Sequence, residues 1–81
     1  MVTVRLFGAA RVNFKDREVH IEASTVKELV DKLIEKYNSN MKSWRQFMYY
    51  VNDVSIEDLK LYKTPLTDGD VVMVVSLGTG G

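Results

Sequence analysis

The chain has 81 residues, 46% hydrophobic and 27% charged, with one proline and no cysteine. Eleven basic and eleven acidic residues cancel to a formal charge of zero, and no block of like charge stands out, which argues against nucleic-acid and membrane binding and for a protein partner. The lack of cysteine excludes a disulfide framework, a thiolate nucleophile and a Cys-ligated metal site, and with no apolar stretch near about 18 residues and no leader pattern after Met1, a cytoplasmic location is expected.

The length suits one domain, although a domain of this size buries only about 60–65% of the surface its unfolded chain exposes. Val2, Val4 and Leu6 alternate with Thr3, Arg5 and Phe7, the period-2 pattern of a strand with one buried face, and Gly8 ends it. A polar connection through Lys15, Asp16 and Arg17 leads to a second alternation, with Val19, Ile21 and Ala23 on one side and His20 and Glu22 on the other. The pair reads as a hairpin with a long loop, and His20 as a solvated strand residue.

Thr25 and Glu28 form a capping box that opens a helix. Val26, Leu29, Val30, Leu33, Ile34 and Tyr37 supply its apolar stripe, while Lys27, Asp31, Lys32, Glu35 and Lys36 face water. Asn38 and Asn40 are suited to the left-handed conformation that stops a helix. From Met41 to Gln46 the pattern supports only a short helical turn or loop carrying Trp44, whose large apolar ring is expected to pack beneath it.

Phe47 to Val51 reads as a third strand, Asn52-Asp53 as a turn, and Val54-Ser55-Ile56 as a short fourth strand. A connection through Leu59, Leu61 and Tyr62 ends at Pro65. Thr67-Asp68-Gly69-Asp70 supplies turn chemistry, and two carboxylates one residue apart with a single histidine in the chain make no catalytic or metal constellation. Val71 to Val75 is the strongest strand signal.

This order implies an α+β domain with one main helix across one face of a mixed sheet of four or five strands. The last strand carries apolar side chains on both faces, so either the set 71/73/75 or the set 72/74 lies away from the helix. An exposed apolar patch follows, the kind of surface that marks protein contacts. Phe7, whose parity opposes Val2, Val4 and Leu6, is expected on it.

The hairpin, the capped helix, the Val51-Asn52-Asp53 turn, the segment Pro65-Leu66-Thr67-Asp68-Gly69-Asp70 and the ending Thr79-Gly80-Gly81 together resemble a ubiquitin-like β-grasp sulfur carrier. The nearest resemblance is to the small subunit of molybdopterin synthase. It implies a β-grasp domain over residues 1–77 with a flexible diglycine tail over 78–81, outward Met73 and Val75, and inward Val72 and Val74.

It also implies a non-catalytic protein co-substrate that binds no cofactor and no metal. Gly81 would be adenylated by a partner resembling ubiquitin-activating enzymes, which consumes ATP. It would then become a thiocarboxylate that donates sulfur to a pterin precursor in the synthase's large subunit, or to another acceptor. Gly80, Thr79 and Gly78 would thread the partner's channel, and Phe7, Met73, Val75 and Leu77 would bind the partner surface.

Such chemistry favours these residues. A carboxylate is a poor electrophile until activated as an acyl adenylate, which must be shielded from water. Glycines remove β-carbons near the reacting carbon while leaving amides for pocket hydrogen bonds. In place of the family's usual aromatics and proline pair, this chain has Val74, Val75, Ser76, Leu77 and Gly78. The approach to the diglycine is therefore expected to be less restrained.

Alternatives share the same terminus: a thiamine-pathway or tRNA-thiolation sulfur carrier, or a modifier that forms isopeptide bonds through Gly81. A non-reactive adaptor binding through Phe7, Met73 and Val75 is the alternative from another class.

Overall fold

The structure, a computed structural model, describes residues 1–76. Its elements are β1 (Val2–Phe7), α1 (Ala9–Phe14), β2 (Glu18–Ile21), α2 (Val26–Lys36), α3 (Met41–Arg45), β3 (Phe47–Val51), β4 (Val54–Ser55) and β5 (Val71–Ser76). The strands form one five-stranded sheet in the order β2-β1-β5-β3-β4. β5 lies parallel to β1 and antiparallel to β3, so the sheet is mixed.

The alternation in β1 works as read: Val2, Val4 and Leu6 are buried and Arg5 and Phe7 exposed. The register then carries that parity across the sheet, aligning Val4 with Val72 and Leu6 with Val74 on β5, and Val72 and Val74 with Val51 and Tyr49 on β3. Onto this row α2 lays Val26, Leu29, Val30 and Leu33, each with no exposed surface, as its apolar stripe requires.

The ends of α2 explain its limits. Thr25 Oγ1 accepts from the Glu28 amide at 3.2 Å. The Glu28 carboxylate reaches back to the Ser24 amide at 2.7 Å, one residue beyond the position a capping box usually satisfies. At the other end Asn38 adopts φ 50°, and the Ser39 amide closes on the Ile34 carbonyl at 2.9 Å, a Schellman ending with asparagine in glycine's place. Asn40 does not share that role. It sits in extended backbone and caps α3, its Oδ1 accepting from the Ser43 amide.

The connection between β1 and β2, expected to be a polar loop, contains α1. This helix covers the same face as α2, with Ala10 buried and Phe14 stacked on Trp44, ring centroids 4.7 Å and planes 10° apart. Phe47 meets Trp44 edge-on at 5.2 Å and Tyr37 stacks on it at 6.1 Å. Trp44 is thus core, and side chains from α1, the end of α2 and β3 converge on its ring. Tyr37 donates to Asp16 Oδ2, and Tyr49 to the Trp44 carbonyl, both at 2.6 Å. Burial first, then Asp16 for Tyr37 and Tyr62 for Tyr49, pushes both phenol pKa values up, so both hydroxyls remain donors at neutral pH.

Asn52 and Asp53 both have positive φ, 49° and 71°, the requirement of a two-residue hairpin turn with the right twist. Ile56, expected in the fourth strand, instead begins a 3₁₀ turn through Asp58, and a second spans Leu61–Lys63. Asp70 closes its turn as expected. Its carboxylate accepts from the Thr67 amide at 2.8 Å and from Asn52 Nδ2 at 3.1 Å, while Asn52 Oδ1 accepts from the Val71 amide at 3.0 Å. These bonds join the β3–β4 turn to the start of β5.

Two outcomes follow. Leu33→Ala should lower unfolding free energy by about 2–5 kcal/mol in urea titrations, since the side chain is wholly enclosed. The Asp70 carboxyl is held below its ordinary value by the Thr67 amide and then the Asn52 amide group, with burial opposing. A lowered folded pKa gives stability that is present above the unfolded value and lost as pH falls through the folded one. Because solvent screens these exposed bonds, Asp70→Ala should cost only about 0.5–1.5 kcal/mol near pH 7, and its deficit should shrink as pH drops below about 4.

Candidate functional site

The helices all cover one face of the sheet, which leaves the opposite face of β1, β5 and β3 open. The register sets its residues in two rows: Phe7, Val75 and Met48 in one, and Arg5, Met73 and Tyr50 in the next. Phe7 is 38% exposed, high for so large an apolar ring, while Met48, Tyr50, Met73 and Val75 are each part-exposed. On β5 the buried partners alternate with them, Val72 and Val74 having no exposed surface at all.

Charge confines this patch to the middle of the face. Arg5 Nε pairs with Glu18 Oε1 at 3.2 Å, and His20, exposed, lies 3.6 Å from Glu18 Oε2. Toward the start of β5 the patch ends in a hollow of about 320 Å³ lined by Arg5, Asn52, Asp53, Val71 and Met73. Toward the end of β5, Phe7 and Val75 lie side by side and Ser76 aligns with Phe47. The strand that supplies the centre of the patch is thus the strand that leads to the diglycine.

The structure brings together three of the expected partner-binding residues: Phe7, Met73 and Val75 lie on one face within two adjacent strands. Leu77, Gly78, Thr79, Gly80 and Gly81 lie outside the described residues. Arg5, Met48 and Tyr50 complete the patch and were not anticipated. Every residue of Phe47–Val51 is apolar or aromatic, so polarity marks neither face of β3, and only pairing with β5 sorts Met48 and Tyr50 outward. Tyr50 Oη lies 4.0 Å from Met48 Sδ, a hydroxyl-to-thioether contact within the patch.

Among the described residues no three His, Cys, Asp or Glu side chains converge as metal ligands, and no helix is long and apolar enough to cross a membrane. What the described residues present is an apolar face bordered by polar side chains, on the strand that precedes the terminal residues.

Comparison with known proteins bears on the fold and the family. The ThiS family model matches residues 4–81. Among curated proteins no match by sequence is found. The solved small archaeal modifier protein 1 from Methanosarcina acetivorans has the same fold, with a TM-score of 0.82 at 21% identity over 99% of this chain and 95% of its own. A chain of the Amycolatopsis orientalis BexX/CysO complex gives 0.81 at 22% identity over 100% of both. A chain of the complex of subunits 1 and 2 of the molybdopterin-converting factor from Helicobacter pylori gives 0.69 at 34% identity, over 99% of this chain and 97% of that one.

Adjacent residues of β5 should therefore respond oppositely to one substitution. Met73→Lys should change unfolding free energy by no more than about 0.5 kcal/mol, whereas Val74→Lys, burying an unpaired charge, should cost more than about 4 kcal/mol or prevent folding. Urea denaturation of the two variants checks the parity.

Proposed function

The chain belongs to the ThiS family of ubiquitin-like β-grasp sulfur carriers, and on that basis we propose that Gly81 is its reacting residue. In this reading the Gly81 carboxylate attacks the α-phosphate of ATP within an activating enzyme, releasing pyrophosphate and forming an acyl adenylate. A sulfur nucleophile then displaces AMP, leaving a thiocarboxylate that passes its sulfur to an acceptor held by a second partner. The chain is a protein co-substrate: the partners supply catalysis and consume ATP, and this domain supplies recognition and a carboxylate.

One observation carries the reading: the open face and the route to the diglycine belong to the same central strand. A partner that covers Phe7, Met73 and Val75 holds β5 itself, and the four residues between Ser76 and Gly81 are short enough to keep the carboxylate close to that contact, at about 3.3–3.6 Å of reach per residue. Orientation of this kind is worth several orders of magnitude to a transfer reaction. Gly80, Gly78 and Thr79 would lie along the channel, and Leu77 at its mouth.

For the acceptor we favour the pterin precursor of the molybdenum or tungsten cofactor, in a large subunit like that of molybdopterin synthase. The support is the 34% identity over nearly the whole of both chains with a chain of the molybdopterin-converting factor complex from Helicobacter pylori, well above that of the other two relatives. A cytoplasmic setting goes with this reading.

Incubation with the cognate activating enzyme, ATP and a sulfide source should convert the chain to a species in which one oxygen is replaced by sulfur, read by intact mass spectrometry. Deleting Gly81 should abolish the change while leaving thermal unfolding unaltered. An unmodified wild-type chain, with a known carrier modified in parallel, would refute the proposal.

A further inference from the structure

β2 is a margin of the sheet: it pairs with β1 on one side, and among the described residues no strand pairs with the other. At the opposite margin β4 has only two residues, against the four of Glu18–Ile21. Which backbone groups of β2 face outward follows from two hydrogen bonds. The Leu6 amide donates to the Arg17 carbonyl at 2.9 Å, and the Thr3 amide turns the other way, to the Asp70 carbonyl at 2.9 Å. In an antiparallel ladder hydrogen-bonded pairs alternate with unbonded ones. The pairs Val4 with Val19 and Val2 with Ile21 therefore carry the bonds between β1 and β2, and the amides and carbonyls of Glu18 and His20 point away from the sheet.

Such an edge is a template for a further strand, and sheets block theirs with proline, bulges or repelling charge. β2 contains no proline and keeps an unbroken register from Glu18 to Ile21. Its two outward-bonding residues are a carboxylate and an imidazole rather than two groups of one sign. Their side chains are exposed on the open face, while Val19 and Ile21 on the helix-covered side are only half-buried.

We propose that β2 pairs antiparallel with β2 of a second copy of this chain, about a two-fold axis that passes through Val19 perpendicular to the sheet. Glu18 then lies opposite His20 of the second copy and His20 opposite its Glu18, each pair exchanging both backbone bonds. On the open face this sets a carboxylate against an imidazole, whose N–H donates whether or not the ring is protonated. His20 Nε2 lies 3.6 Å from Glu18 Oε2 of its own chain, which leaves Nδ1 for the second copy. On the other face Val19 meets Val19 in the closer, unbonded pairing.

Charge and parity select this register. A slip of two residues sets Glu18 against Glu18 or against Glu22, and a slip of one puts apolar side chains of one copy beside polar ones of the other. β1 separates this margin from β5, so Phe7, Met73 and Val75 stay open in the pair. The inference does not depend on the carrier reading.

A strand pair this short buries less than the roughly 1,200 Å² of a standard interface, so the contact is a weak one. Sedimentation velocity over a dilution series reaching about 1 mM chain should show a reversible monomer–dimer equilibrium. Amide hydrogen exchange on the same series identifies the surface. The Glu18 and His20 amides should exchange more slowly as the dimer fraction rises, while those of Val19 and Ile21, bonded to β1, stay protected at every concentration. His20→Glu, which sets carboxylate against carboxylate in both pairs, should weaken association at least about tenfold. Mixing it with Glu18→Lys should recover the dimer, because each pair then joins an acidic and a basic side chain.

A chain that stays monomeric throughout would overturn the proposal. So would a dimer in which the Glu18 and His20 amides still exchange at the monomer's rate, which would put the contact elsewhere, or unchanged association in His20→Glu. Should His20→Glu fail to fold, the exchange pattern of the wild-type chain decides by itself.

Discussion

β1 and β5 come from opposite ends of the sequence and pair in parallel at the centre of the sheet, with Val4 against Val72 and Leu6 against Val74 beneath the apolar stripe of α2. A parallel pair needs a crossover, and here nearly the whole chain serves as one. The pairing fixes which side chains of β5 are covered and so which remain open. It also places Gly8 against Ser76 and holds the route to the diglycine next to Phe7. The Asp70 and Asn52 bonds anchor the same strand at its other end.

Burial on one face of β5 and exposure on the other divide the work of the protein. Val72 and Val74 belong to folding, while Met73 and Val75 are held part-open at a cost the covered face offsets, since apolar surface left in water contributes nothing to stability. An apolar patch of this sort marks contact surfaces. Under the proposed function the contact surface and the route to Gly81 would share one strand. The Arg5–Glu18 pair, with His20 beside it, sets its border.

Much of this was legible in the residues. The alternation of Val2, Val4 and Leu6, the Thr25–Glu28 cap, the Asn52-Asp53 turn and the Asp68-Gly69-Asp70 turn each state a local rule that tertiary structure upholds. α1 was not legible because Ala9–Phe14 is only six residues long and depends on Gly8, whose positive-φ turn opens it, and on Phe14, whose ring partners Tyr37, Trp44 and Phe47 are remote in sequence. Asn40 misled because asparagine serves both to end one helix and to cap the next, and φ decides between them. Of the patch, Phe7, Met73 and Val75 could be read from parity, with the resemblance choosing the face on β5. Met48 and Tyr50 could not, because in a strand apolar throughout only the partner's register distinguishes the faces.

The most direct measurement is the amide and methyl NMR spectrum of the chain as its cognate activating enzyme is added. A carrier that docks by its open face should show perturbation at Arg5, Phe7, Met48, Tyr50, Met73 and Val75, with the water-facing side of α2 at Lys27, Asp31 and Glu35 unchanged. Perturbation centred on α2, or on the groove beside β4 lined by Val54, Leu59 and Pro65, with the open face silent, would contradict it.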